Sequence, residues 1–499
     1  LNKVKRFLSK YNLKYPRSLI YMLQASEYNI PDFFIWFGRT KDFSRVEERK
    51  TLVKTPKALV LFVFSWLSHV LFFILTLSTL WIFNAYLSFV LFLFFFFLFP
   101  YFTLYAVTLF ASVIEIIQSP IEKIIINKAK IKLQKHKALK IAVAGSYGKT
   151  TMKEILKTVL EEGKKVAATP ENKNTPLGIT KFVENLEGDE EILIFEMGEY
   201  YPGDIKKLCE IVNPSIGIVT GVNEAHLNKF KSLEKTAKTI FELADFLKQK
   251  ENAKLYVNSD NRVSEEKAYH YKNQDESFFD IYTYGQTGIK NIAGASESNW
   301  KVEGAESDLS GVSFVLKDNK REGVVVRSKL LGLHQVGPLS VSVHIARNLG
   351  VKLENIELGL KKTKPFEHRL ELREESGGIT VIDDSYNGSP DGVKAAINFI
   401  SGIKNKRRFY ITPGLVEMGD KTKDIHKNIG RQLAKAKIEK VILIRNSTTP
   451  FIEQGLKEND FQGDIIWFES AKEAFFSLPK QTINSDLLLY QNDWPDNYA

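Results

Sequence analysis

Residues 139–160 read Leu-Lys-Ile-Ala-Val-Ala-Gly-Ser-Tyr-Gly-Lys-Thr-Thr-Met-Lys-Glu-Ile-Leu-Lys-Thr-Val-Leu. Ile141–Ala144 predicts a short buried strand, Gly145–Thr151 a glycine loop, and Met152–Leu160 a helix with apolar positions at helical spacing. A strand that opens through glycines onto a helix N-terminus is a phosphate cradle. Backbone N–H groups and the helix dipole face the anion, Lys149 adds a point charge, and a threonine hydroxyl reaches a divalent cation. The predicted nucleotide-binding set is therefore Gly145, Ser146, Tyr147, Gly148, Lys149, Thr150 and Thr151. The loop departs from the general G-x-x-x-x-G-K-[ST] form, because Val143 stands where its first glycine would be.

Upstream of this loop the composition changes twice. Residues 58–114 contain no Asp, Glu, Lys or Arg. One membrane crossing needs about 20 apolar residues, so this stretch predicts a transmembrane hairpin of two helices, turning near Asn84-Ala85, with Pro100 a candidate kink. Residues 1–57 hold 13 Lys and Arg against 5 Asp and Glu, and residues 115–140 hold 7 against 2. Basic flanks at both ends predict a cytoplasmic location for both, and hence a multi-pass protein of the cell membrane with cytoplasmic catalytic domains. The second basic stretch, within Lys123–Lys140, predicts a solvated amphipathic helix near anionic headgroups of the lipid bilayer. Tyr21–Tyr28 reads as a small helix at the bilayer surface. The net charge of +10 is thus carried by two short regions and gives no ground for a nucleic-acid partner of the main body. A single cysteine, Cys209, excludes intramolecular disulfides and cysteine-cluster zinc sites.

Six motifs, in order over residues 139–430, resemble the Mur ligase superfamily. After the shortened loop come Thr169-Pro-Glu-Asn172-Lys-Asn174-Thr-Pro-Leu-Gly178, then Glu196-Met-Gly198 with Pro202-Gly-Asp-Ile205. The strand Ile216–Val222 leads into Asn223-Glu-Ala-His226-Leu227, and His368-Arg-Leu-Glu371 follows. Asp383-Asp-Ser-Tyr-Asn-Gly-Ser-Pro390 is similar to the MurF-type branch, which joins D-alanyl-D-alanine to a UDP-muramoyl tripeptide.

The resemblance implies an ATP-dependent amide ligase of peptidoglycan precursor synthesis that activates a muramoyl-peptide carboxylate as an acyl phosphate. It implies ATP and Mg²⁺ as cofactors. Catalytic roles fall to Lys149, Glu196, His226 and Arg369: Lys149 on the β- and γ-phosphates, and Arg369 toward the γ-phosphate. Thr150 and Glu196 would hold a first Mg²⁺ and His226 a second, with Asp384 toward the ribose. His426 resembles a further family position. Asn172 and Asn174 read as turn residues. Two positions depart from the family. The lysine that many members carry as a carbamate is Ile240 here, with Lys235 and Lys238 on other helix faces. The adenine-side G-x-H-N-x-x-N motif becomes Gly332-Leu-His334-Gln335-Val-Gly-Pro338.

The expected architecture is α/β. A basic segment (1–57), a hairpin (58–114) and a basic linker (115–138) precede a central P-loop ATPase domain with a mostly parallel sheet (139–364). A Rossmann-like α/β domain (365–499) follows. Within the central domain, Phe278–Arg327 reads as an antiparallel β excursion. C-terminal strands are expected at Ile379–Ile382, Arg408–Thr412, Val441–Ile444 and Leu487–Leu489. Two other functions fit the sequence: a membrane-bound poly-γ-glutamate synthetase, and a nucleotide-binding scaffold that recruits cell-wall synthesis proteins. A MurT-type amidating ligase is excluded, because its four-cysteine zinc site needs more than Cys209.

Overall fold

A computed structural model describes residues 2–26, 28–44, 46, 52–82, 85–170, 173–224, 230, 232–274, 279–293, 299–320, 322–375, 377–386, 388–416 and 418–491. The chain forms two compact units that divide at Ile124.

The first unit is helical. Helices α1 (Asn2–Leu8), α2 (Tyr15–Ala25) and α3 (Ile30–Arg39) precede α4 (Pro56–Ile82), and α5 starts at Ala85. The uncharged stretch therefore forms two helices; the turn expected near Asn84 lies outside the described residues. Helices α4 and α5 run antiparallel and meet through aromatic rings. Phe64 stacks on Phe110 with centroids 4.9 Å apart, and Phe72 meets Phe102 at 4.6 Å. His69 Nε2 lies 3.0 Å from Thr103 Oγ1 between them. Both helices are long and apolar enough to cross a membrane, with mean hydropathy 2.4 and 2.3 over the qualifying spans. Most of their large side chains point outward without cover, from Leu59 through Phe73 on α4 and from Phe89 through Leu109 on α5.

Tyr21 lies on a helix, α2, that packs within the first unit. Tyr15, Leu19, Ile20, Met22 and Leu23 of α2 form a closed core with Phe33, Phe43, Ala58, Leu61, Leu104 and Val107. Helix α5 also continues unbroken to Lys135, with Pro100 and Pro120 inside it. Its last turns are not wholly solvated, since Ala129 and Leu133 are buried in the core of the second unit. Lys140, placed by the sequence reading at the end of that helix, belongs to a strand.

The second unit contains two sheets. The first has strands β1 (Leu139–Ala144), β2 (Val166–Ala168), β3 (Ile192–Glu196), β4 (Ile216–Val219), β5 (Lys254–Asn258), β6 (Asp280–Gly285), β7 (Gly288–Asn291), β8 (Trp300–Asp308), β9 (Gly311–Lys317) and β10 (Gly323–Ser328). Their order is β10-β9-β8-β7-β6-β5-β4-β1-β3-β2. From β2 to β6 the neighbours are parallel, and from β6 to β10 they are antiparallel. The β excursion is thus a continuation of the main sheet. Its Tyr282-Thr283-Tyr284 run is the last parallel strand, pairing Tyr256 with Tyr282. Phe278 lies outside the described residues. Both faces of this sheet are covered, one core holding Ala142, Leu193 and Val219, the other Ile141, Val143 and Ile194. This is why β1 and β3 read as continuous apolar runs.

The second sheet has strands β11 (Glu371–Glu375), β12 (Ile379–Asp384), β13 (Arg408–Thr412), β14 (Lys440–Ile444), β15 (Asp464–Phe468) and β16 (Leu487–Gln491), in the order β11-β12-β16-β13-β14-β15. Only the β11 pairing is antiparallel. The four C-terminal strands expected from sequence are present. β11 and β15 were not foreseen: both are edge strands, β11 is polar and solvent-facing, and the apolar run Ile465-Ile-Trp-Phe468 of β15 is only half-buried.

Candidate functional site

Val143 pairs with Glu196, and Ala144 with Val219. β1, β3 and β4 therefore end level. Their C-terminal ends carry the 145–148 loop, Glu196 and Thr220–Asn223 to one edge of the sheet, where open parallel sheets bind ligands. Gly145 and Gly148 have φ of 142° and 71°. A Cβ on Gly145 would fall 2.2 Å from Thr220 Oγ1, so only glycine fits the cradle there. The Thr220 hydroxyl donates to the Tyr147 carbonyl, and Ser146 N–H donates to Gly221 O at 2.9 Å. These bonds tie the loop to the end of β4.

Helix α6 (Lys149–Leu160) starts at Gly148, and no side chain caps its first turn. Lys149, Thr150 and Thr151 form that turn. The Lys149 ammonium donates to Gly145 O and to both carboxylate oxygens of Glu199, at 3.0 and 3.1 Å. Glu196 is 4% exposed. Its Oε1 accepts from Asn174 Nδ2 at 3.2 Å. Its Oε2 lies 3.5 Å from Lys153 Nζ and has no hydrogen-bond donor among the described residues. Lys153 is fully buried, donates to Thr169 O at 2.8 Å and pairs with Glu154 at 3.1 Å.

An orphaned, buried carboxylate oxygen beside an anion cradle is the donor chemistry a hard divalent cation takes. Glu196 thus fits a magnesium-nucleotide. His226 and Asn172 lie outside the described residues.

Three residues here escaped the sequence reading. Lys153 follows Lys149 by one helical turn, and a lysine among the apolar positions of α6 was the available signal. Glu199 lies just past the Glu196-Met-Gly198 motif, and nothing in its spacing marks it as the partner of Lys149. Asn174 is more than a turn residue, since it holds both Glu196 and, through its carbonyl, Gly198 N at 2.9 Å.

The second sheet supplies Arg369 and Asp384. Asp384 ends β12, where its carboxylate accepts from Gln491 Nε2 at 2.6 Å and Leu370 N at 3.2 Å. Arg369 sits 5.0 Å above the Tyr386 ring. Its neighbours His368 and Leu370 have φ of 61° and 47°, a strained pair that presents the arginine from a kinked backbone. The kink is held by His368 Nδ1 with Asp383 Oδ2 at 2.8 Å and by His368 N donating to Glu371 at 3.0 Å. Asn223 at the end of β4 donates to Asp391 at 3.1 Å, and Lys421 pairs with Glu224 at 3.4 Å, joining the two sheets' sub-structures. Among the described residues no hydrogen bond joins Arg369 or Asp384 to the 145–151 loop.

Burial pushes the Asp384 carboxyl up to about 6, against the opposing pull of Gln491, Leu370 and Arg369. Its folded value lies above its unfolded value near 3.8. The folded state therefore binds the extra proton between those values, and stability falls as pH rises from about 4 to 6. Asp384→Asn is expected to remove this slope and to raise stability at pH 7 by at most about 3 kcal/mol. Denaturant midpoints of both proteins at pH 5, 6 and 7 check it; equal gaps at all three values would contradict it.

The departures from the family pattern have structural reasons. Ile240 is fully buried in the core beside Ala237 and Leu243, while Lys235 and Lys238 are exposed. Pro338 lies in the first turn of the helix Val336–Asn348, where its missing N–H removes no helical bond. Gln335 bonds back to His334 at 2.9 Å. His426 is buried and accepts from Leu415 N at 2.8 Å, so it clamps the loop after β13.

A glycine cradle at a parallel-sheet edge, joined to a second α/β sub-structure that presents an arginine, defines a two-part nucleotide-dependent enzyme. Residues 143–346 match the Mur ligase middle domain and residues 368–490 the Mur ligase glutamate ligase domain, about two thirds of the chain together. The chain belongs to the Mur ligase family. It is 25% identical over 364 residues to the UDP-N-acetylmuramoyl-tripeptide–D-alanyl-D-alanine ligase of Bacillus subtilis (strain 168), covering 73% of this chain and 75% of that one. Among solved structures, a MurF from Acinetobacter baumannii shares the fold at TM-score 0.64 and 21% identity, covering 74% of this chain and 78% of that one. MurF from Thermotoga maritima in complex with ADP does so at TM-score 0.63 and 23% identity, covering 74% and 80%.

Proposed function

We propose that this chain is an ATP-dependent peptide ligase that adds D-alanyl-D-alanine to a muramoyl tripeptide, working from the surface of a membrane into which α4 and α5 insert. The observation that carries the ligase reading is the cradle itself: Lys149 and the free first turn of α6 beside the buried, under-satisfied Glu196. The match to D-alanyl-D-alanine ligases supports the choice of substrates.

In this reading Lys149 holds the outer phosphates, Thr150 and Glu196 hold a first Mg²⁺, and His226 holds a second. A bound divalent cation would draw the phosphate oxygens together and offset the charge that gathers during transfer. Arg369 approaches the γ-phosphate from the second sub-structure, and Asp384 stands toward the ribose. Closure of the two parts excludes water from the activated carboxylate. The uncovered apolar surface of α4 and α5 supports insertion as a hairpin with basic flanks in the cytoplasm. Later wall precursors are lipid-linked, so confinement at the membrane raises their local concentration.

The test is ATP-dependent phosphate release by detergent-solubilised protein with UDP-muramoyl tripeptide and either D-alanyl-D-alanine or glutamate. Release that requires D-alanyl-D-alanine is expected. Release with glutamate alone would move the protein to the polymer synthetases, and none with either would favour a scaffold. The membrane reading is checked by carbonate washing: the protein is expected in the pellet, and extraction by carbonate would overturn insertion.

A further inference from the structure

Pro100 brings no N–H to α5, so the Phe96 carbonyl one turn earlier lacks its helical donor. The Tyr11 hydroxyl donates to that carbonyl at 2.8 Å, and the Tyr15 hydroxyl donates to Pro100 O at 3.2 Å. These bonds pin the chain between α1 and α2 against α5 and hold two cations on the apolar hairpin. Lys10 is only 7% exposed, with its ammonium 4.8 Å from the Tyr101 ring and 5.2 Å from the Phe37 ring. The rings cradle that charge but bring no negative charge to neutralise it. Among the described residues no carboxylate and no hydrogen-bond acceptor meets the Lys10 ammonium. Arg6 stands four positions earlier; it donates to Phe37 O at 2.7 Å, and its buried Nε has no acceptor among the described residues. Burial and the nearby Arg6 charge hold the Lys10 ammonium below its ordinary range. Asp42 gives no relief, because it meets Lys5 at 3.6 Å and the Ser44 hydroxyl at 2.5 Å. Two unneutralised cations held together on an apolar surface are costly unless an anion joins them. The surrounding surface also selects the anion. Val4 and Leu8 of α1 and Phe97 and Tyr101 of α5 are exposed. A small soluble ion would leave these side chains uncovered, whereas a lipid phosphate covers them with its acyl chains.

We propose that Arg6 and Lys10 form a binding site for the phosphate headgroup of an anionic membrane lipid, whose acyl chains lie along the exposed face of α5. Arg6 offers its free Nε to a phosphate oxygen, and Lys10 adds a point charge beside it. The rings of Phe37 and Tyr101 keep the ammonium in place when the lipid leaves. The site fastens a lipid beside the hairpin and does not depend on the nucleotide cradle. It rests on the reading of α4 and α5 as membrane-inserted, which brings these cations among lipid headgroups.

The test is native mass spectrometry of the full-length protein in a non-ionic detergent, titrated separately with three probes. These are dioctanoyl phosphatidylglycerol, dioctanoylglycerol (the same chains without the phosphate) and inorganic phosphate. The ratio of bound to free protein gives each affinity. The wild type is expected to hold phosphatidylglycerol at least about tenfold more tightly than either of the others. Lys10→Met and Arg6→Gln are each expected to lower that affinity by about tenfold, and Arg6→Lys should keep more of it than Arg6→Gln. Lys10→Met leaves an apolar stem against the rings, so its melting temperature should not fall below that of the wild type. Equal affinity for dioctanoylglycerol would show that the chains alone bind, and would overturn the phosphate site. Equal affinity for inorganic phosphate would overturn the lipid as its source. Phosphatidylglycerol binding that survives unchanged in both variants would overturn the proposal while leaving the hairpin in place. Extraction of the protein by carbonate would instead overturn insertion itself.

Discussion

Lys149→Ala is expected to lower ligase turnover by about 10²–10³-fold, the usual cost of removing one preorganised charge from a site where phosphate charge develops. The same change should destabilise the empty protein, because it removes the ammonium that pairs with Glu199, which is only 3% exposed. Removing one partner of a buried pair costs about 3–5 kcal/mol, since the survivor keeps its desolvation penalty without its attraction. The two effects separate in a double variant. Lys149→Ala with Glu199→Gln removes both charges, so the melting temperature should return close to wild type while turnover stays at the level of the single variant. Steady-state phosphate release and thermal unfolding of the three proteins check this. Recovery of turnover in the double variant would mean that Lys149 serves only to neutralise Glu199 and does not touch phosphate.

Much of the α/β body was legible because its buried strands are short apolar runs bounded by turn residues. Ile141–Ala144, Ile192–Phe195 and Ile216–Val219 each end where a glycine, a carboxylate or a polar loop begins, and the structure aligns those three ends. What the sequence conceals is the partner of each charged group. Lys149 and Glu199 are fifty positions apart, and only the parallel pairing of β1 with β3 brings their loops together. Lys153 lies on the face of α6 that packs on the sheet, and its enclosed ammonium meets Glu196 only through the fold. The helical unit before Ile124 was half legible. Lack of charge marks α4 and α5, but it carries no sign that α2 would fold onto them or that α5 would run to Lys135. Those outcomes depend on packing against Leu104 and Val107 in one case, and on burial of Ala129 and Leu133 in the other.

Glu196→Gln should separate the cation's role from the cradle's. The amide has nearly the shape of the carboxylate, and its oxygen can still accept from Asn174 Nδ2. Its nitrogen then faces Lys153, donor toward donor, where Oε2 stood. Lys153 keeps Thr169 O and Glu154, so it loses one partner of three, and the fold should survive with a modest fall in melting temperature. The site loses the one buried carboxylate oxygen that no donor among the described residues occupies. Turnover is therefore expected to drop by about 10²–10³-fold, comparable to removing a principal electrostatic contact in the transition state. The added stability that Mg²⁺ confers on the ADP-bound protein should shrink with it, because a ligand stabilises only through its affinity for the folded state. Free ADP should still raise the melting temperature at high concentration, since Lys149 and the first turn of α6 are untouched. If Glu196→Gln keeps both its turnover and its full magnesium-dependent shift, then Glu196 does not hold the cation. Its burial beside Lys153 would then be a matter of charge balance in the core of the sheet edge.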